Sequence, residues 1–143
     1  MQSSALKQLR TRIEGGLIPA VPVPLDSGGR LHVKAQQAYL RYMERQPVAA
    51  VAVWAHTGRG LRLDEDTART VMRDWREALP DRTVIAGVGS LGATIPEQGT
   101  TETVKMAERA LRCGADALLV HAPGWLRGKE YADACEIKFH LGS

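Results

Sequence analysis

At 143 residues, with 44% hydrophobic and 24% charged, the chain has the size and balance of one globular domain with a core of its own. No run approaches the roughly 18 apolar residues of a membrane span, and residues 1–10 lack the apolar core of a signal peptide. The net charge is +3, and the arginines are spread through the chain rather than clustered, which argues against nucleic acid as a partner.

Cys113 and Cys135 have no metal-type spacing. They read as free thiols of a reduced, cytoplasmic protein, with no metal and no cofactor expected.

In chain order, residues 4–14 predict a short helix. Ser4 is placed to cap it, Leu6, Leu9 and Ile13 recur at helical spacing, and Gly15-Gly16 ends it. Residues 17–21 predict a first strand that breaks into a Pro-rich loop, because Pro19, Pro22 and Pro24 cannot donate to a ladder. Asp26-Ser27-Gly28-Gly29 is a turn.

Residues 33–45 predict a helix with Ala35, Ala38, Tyr39 and Tyr42 as its inner stripe, stopped by Pro47. Residues 48–54 predict a buried second strand opening into the polar loop Ala55-His56-Thr57-Gly58-Arg59-Gly60. Asp64-Glu65-Asp66 starts a helix to about residue 78, its acids complementing the helix dipole.

Residues 83–90 predict a third strand ending in glycines, and residues 91–100 a loop. Thr100 or Thr101 caps a helix to about Arg112, closed by Gly114. Residues 117–122 predict a fourth strand, and a ragged fourth helix is expected from Lys129.

The order is one helix, then strand and helix four times. Apolar strands joined by helices imply a parallel sheet. Two architectures fit that pattern: a flavodoxin-like open sheet, or part of a (β/α)8 barrel, which takes about 250 residues when complete.

Ligands bind at the C-terminal ends of parallel strands. That places His56 and Thr57 as candidates for a small anionic pocket, or as a loop that caps its own turn. His121 and Trp125, flanking Pro123 after the fourth strand, read either as a pocket wall or as aromatic cover for a loop. Gly87-Val88-Gly89-Ser90 resembles part of a phosphate loop, but no helix start and acidic partner follow as a dinucleotide site requires, so NAD is not expected. No Ser or Cys nucleophile pairs with a base in a recognisable pattern, so no catalytic residue is assigned.

Four segments in order carry a resemblance. They are Gly16-Leu17-Ile18-Pro19-Ala20-Val21-Pro22-Val23-Pro24-Leu25 with its Asp26 turn; Ala55-His56-Thr57-Gly58-Arg59 with Leu63-Asp64-Glu65; Ala86-Gly87-Val88-Gly89; and the run from Gly114-Ala115-Asp116 to Val120-His121-Ala122-Pro123. In these the chain resembles the N-terminal half of the dihydrodipicolinate synthase / N-acetylneuraminate lyase family over about residues 15–131.

The resemblance implies a (β/α)8 TIM-barrel-type α/β fold, truncated to about the first four βα units after a short N-terminal helix. It implies one partial barrel domain over residues 1–143, with an atypical tail at 132–143. It further implies a class I, Schiff-base aldolase or lyase acting on pyruvate or another 2-oxo acid. Substrate-binding positions then fall on His56, Thr57 and Trp125. The family pattern has Gly-Thr-Thr-Gly-Glu where this chain has Ala55-His56-Thr57-Gly58-Arg59, so a threonine is replaced by His56 and a glutamate by Arg59.

By the same resemblance, the Schiff-base lysine belongs to strand six and a proton-shuttling tyrosine to strand five. Neither strand is in this sequence, and Lys129 and Lys138 do not occupy the lysine's position. The chain by itself is therefore expected to be an inactive truncation. The alternatives are a non-catalytic half-barrel that assembles with itself or a partner, a homo-oligomer being favoured, and a flavodoxin-like small-ligand domain.

Overall fold

The computed structural model describes residues 2–123. Helix α1 (Gln2–Ile13) leads to α2 (Val33–Glu44), β1 (Ala50–Val53), a 3-10 turn (Gly60–Arg62), α3 (Glu65–Ala78), β2 (Thr83–Val88), α4 (Pro96–Arg112) and β3 (Ala117–Val120). The expected helix from Lys129 and the tail at 132–143 lie outside the described residues.

The sheet is parallel, in the order β1-β2-β3. Its register sets Ala52 beside Ile85 and Gly87 beside Leu119. Residues 17–21 extend it on the β1 side. The Ala49 N–H donates to the Leu17 carbonyl at 2.9 Å, Ala52 N–H to Pro19 at 2.9 Å, and Val21 N–H to the Ala52 carbonyl at 3.0 Å. The expected first strand is thus reduced to a single parallel bridge, Ala20 to Ala52. The cause is chemical: Pro19 and Pro22 have no N–H, so this segment mostly accepts.

The four parallel segments lie side by side in chain order. A flavodoxin-like sheet would place its first strand between its second and third. Sequential order is the order of a barrel wall, which excludes the open-sheet alternative.

The two faces of that wall differ in chemistry. Val51, Val53, Val84, Ala86 and Val88 join the core with Leu40 and Met43 of α2, Val71, Met72 and Trp75 of α3, and Ala110 of α4. Burying each of the valine, leucine and methionine side chains among these contributes about 1.5–3 kcal/mol. Strand alternation turns Ala50, Ala52, Ile85, Gly87 and Leu119 the other way, toward the barrel interior. Of these, Ala50, Ala52 and Gly87 are small, and Ile85 and Leu119 are the larger apolar groups of that face.

Helix α2 buries Gln36, Leu40 and Met43 rather than the expected stripe, and Tyr42 is exposed. Tyr39 is half-buried and stands edge-on to Trp75, with ring centroids 5.4 Å apart. A glutamine at the centre of the buried face hid its true position. Helix α4 begins at Pro96, several residues before the expected threonine cap. The overlooked signals are Pro96 at the first helical position and Glu97 in the first turn. Helix α1 begins at Gln2, so Ser4 sits inside its first turn and not before it.

Other local rules act as the sequence suggests. The Asp64 side chain accepts from the Thr67 N–H at 2.9 Å and starts α3. Gly15 and Gly114 take positive φ after α1 and α4.

A polar network fixes the N-terminal edge of the sheet. Asp116 accepts from Arg76 and from the Val84 N–H, both at 2.8 Å. Arg82 donates to the Met43, Glu44 and Gln46 carbonyls at the end of α2. Among the described residues, no helix is long and apolar enough to cross a membrane.

Candidate functional site

The C-terminal end of β1 is built around Trp54. Its side chain is fully buried, and its indole N–H donates to the Ala68 carbonyl of α3 at 3.0 Å. Its φ is 60°, in the left-handed region that side chains other than glycine rarely adopt. The turn this produces presses the Trp54 carbonyl against two glycines. A Cβ on Gly60 would lie 2.1 Å from that oxygen, and one on Gly87 would lie 2.5 Å from it. Gly58 is held in the same way, its would-be Cβ 2.8 Å from the Val21 carbonyl. The glycines after β1 and in β2 therefore serve close backbone approach, which no residue with a Cβ allows.

This packing aims the loop after β1 across the sheet's C-terminal end. The Arg59 N–H donates to the His56 carbonyl at 3.1 Å, and Arg59 itself has φ 52° at the start of the 3-10 turn. From the far side of the wall, the His121 N–H continues the ladder to the Val88 carbonyl at 2.8 Å. The His56 and His121 rings meet with centroids 4.5 Å apart and planes inclined by 49°.

The cleft beneath them has a volume of about 330 Å³ and is lined by Trp54, Ala55, His56, Arg59, Gly60, Leu61, Arg62, Leu91 and His121. Its ionisable lining is two imidazoles and two guanidiniums, with no carboxylate and no lysine among the described residues. Burial holds the His121 pKa below the ordinary 6.5. The Trp54 carbonyl opposes that shift, and the neighbouring His56 adds to it. Burial therefore favours the uncharged form of the His121 ring.

A second cleft of about 390 Å³ adjoins the first between the β2 loop and α4. There the Ser90 hydroxyl donates to Glu102 and accepts from the Ala93 N–H at 3.2 Å. The Ser90 and Gln98 hydrogen bonds hold the Glu102 carboxyl below the usual range. Among the described residues, no three His, Cys, Asp or Glu side chains converge as a metal ion would require.

Of the residues singled out in the sequence, His56 and His121 come together and line the cleft. Thr57 is exposed on the same loop and is not part of the lining, and Trp125 lies outside the described residues. Sequence reasoning missed Trp54 as the positioning residue and Arg62 and Leu91 as walls. No residue pattern announces a left-handed tryptophan, and Arg62 sits in a short turn without periodicity.

Sequential parallel strands with a polar cleft at their C-terminal ends are the layout of a (β/α) barrel site. The model of the dihydrodipicolinate synthetase family matches residues 14–131. The chain belongs to this family.

Among the family's relatives, the 4-hydroxy-tetrahydrodipicolinate synthase of Methylococcus capsulatus is 32% identical over 109 residues, covering 76% of this chain and 35% of that protein. The synthase of Bifidobacterium longum is 30% identical over 113 residues, covering 79% and 35%. Among solved structures, the dihydrodipicolinate synthase of Agrobacterium tumefaciens superposes with a TM-score of 0.71 at 27% identity, over 94% of this chain and 42% of that one. N-acetylneuraminate lyase from Mycoplasma synoviae gives 0.65 at 27% identity, over 80% and 37%. The chain thus spans about a third of the length of the curated relatives it matches, in their N-terminal part.

Proposed function

We propose that the cleft at the end of β1 is the carboxylate-holding part of a 2-oxo acid site, pyruvate being the simplest ligand. The observation that carries this is the lining itself: His56, Arg59, Arg62 and His121 converge at the C-terminal ends of parallel strands with no carboxylate among them. A loop folded tightly on glycines presents polar groups to an anion, and Leu61, Leu91 and Trp54 shelter it. Family membership supports the same reading, since the relatives' names denote synthases and lyases. Thr57 would contribute its hydroxyl to that carboxylate after a small turn of the exposed loop. Trp125, a substrate-binding position by the family resemblance, belongs to the same proposal.

On this reading the cleft supplies binding and orientation. A Schiff-base step needs a lysine with a depressed pKa. No lysine lines the cleft among the described residues, so these residues supply binding and not the nucleophile. The test is calorimetric titration with pyruvate, followed by borohydride trapping and mass spectrometry. The expected result is reversible binding that His56→Ala weakens, with no lysine adduct. An adduct on any lysine of this chain would overturn the division of labour. Wild-type affinity in His56→Ala would overturn the site.

A specific observation also favours assembly with a second copy. Strand β3 is the edge of the described sheet, and Leu118, Leu119 and Val120 are 37%, 46% and 63% exposed. An exposed apolar edge promotes pairing with another chain. Light scattering on the eluting protein should give a mass above the monomer, and a stable monomer would refute the assembly. Free Cys113 fits a reducing, cytoplasmic setting.

A further inference from the structure

We propose that this cleft is built for a doubly charged 2-oxo acid, with one carboxylate at the His56 loop and the second anionic group between Arg59 and Arg62. The inference rests on the 2-oxo acid reading and deepens it.

Arg10, Arg30, Arg69, Arg76, Arg109 and Arg112 each pair with a carboxylate within 4 Å, while Arg12, Arg41, Arg45, Arg73 and Arg82 have no ion pair among the described residues and do not line the cleft. Arg59 and Arg62 line the cleft, and neither has an ion pair among the described residues. They bracket one 3-10 turn, whose geometry is fixed by the Arg62 N–H donating to the Arg59 carbonyl at 2.8 Å. Two forks held three positions apart on a short rigid turn suit a planar dianion, because guanidinium binds carboxylate or phosphate oxygens bidentately.

A single carboxylate would leave at least one of these cations uncompensated. Both arginines are exposed, so each pair with an anion is worth what a surface ion pair is worth. Arg59 also holds the position where the resembled family pattern has glutamate, so this chain attracts a second negative charge where the pattern would repel one.

The experiment compares 2-oxoglutarate with pyruvate by calorimetry at low, fixed ionic strength, on the wild type and on the double variant Arg59→Glu, Arg62→Glu. Both arginines are on the surface, so circular dichroism of the variant should match the wild type. Two exposed pairs predict about tenfold tighter binding of 2-oxoglutarate than of pyruvate, and the double variant, whose arginines line the cleft for both ligands, should weaken both and abolish that preference. Equal affinities, or tighter pyruvate, would overturn the dianion assignment and leave the site standing. A preference that survives in the double variant would overturn the role of the arginine pair. Binding of neither compound would overturn the site reading and this inference with it.

Discussion

Replacing Gly60 by alanine is the sharpest test of how the loop after β1 is held. The new Cβ would lie 2.1 Å from the Trp54 oxygen, 2.3 Å from its Cβ and 2.5 Å from its Cα. None of these is the free end of a flexible side chain. Trp54 cannot retreat, because its ring is fully buried and its indole is tied to Ala68 at 3.0 Å. The loop must shift instead, and overpacking of this kind costs about 1–3 kcal/mol. For a chain of this length about 4 °C of Tm corresponds to each kcal/mol, so the melt should fall by roughly 4–12 °C. The assay is a thermal melt by circular dichroism, run beside Gly92→Ala as the control. A Cβ on Gly92 meets nothing within 4 Å and needs no unusual φ. That variant should melt at or slightly above the wild type. A Gly60→Ala melt within about 1 °C of wild type would refute the close-approach reasoning.

Trp75 is fully buried where α3 meets the sheet, so Trp75→Ala should lower unfolding free energy by about 3–5 kcal/mol in urea titration. Asp116→Ala leaves the Val84 N–H without its acceptor and should cost about 1–3 kcal/mol, while Asp116→Asn, which keeps an oxygen there, should cost less in the same titration. The folded-state pKa of His121 lies below the unfolded 6.5, so between those two values the unfolded chain binds more protons. Stability should therefore be lost as pH falls through that window and be fully present above it. His121→Phe should flatten this part of the pH dependence of the urea midpoint between about pH 7.5 and about pH 5.5; an unchanged slope would count against a buried neutral ring.

The fold was legible where local chemistry and period agree. The runs around β1, β2 and β3 read as buried parallel strands, and Asp64, Gly15 and Gly114 marked helix ends that the structure reproduces. Strand order was not legible, because period and propensity say nothing about which strand lies beside which. The hydrogen bonds of residues 17–21 to β1 decide it. The inner stripe of α2 was misplaced because tertiary packing buries Gln36, a residue whose polarity argues for the surface. At the site, His56 and His121 were each visible as residues after a strand, but their contact depends on register across β2. The cationic character of the cleft was hidden for the same reason, since Arg59 and Arg62 gain meaning only once the turn folds over Trp54.

The central claim is that the anion sits at the C-terminal ends of the strands, beside His56 and His121. Backbone amide chemical shifts, followed by 15N–1H correlation spectra during a pyruvate titration, test it residue by residue. Saturable shifts are expected at residues 54–62 and at His121, with β3 residues facing α4 unmoved. Shifts confined to Leu118 and Val120 of β3 and to Val104 and Ala107 of α4, which line a separate apolar groove, or none at all, would contradict it.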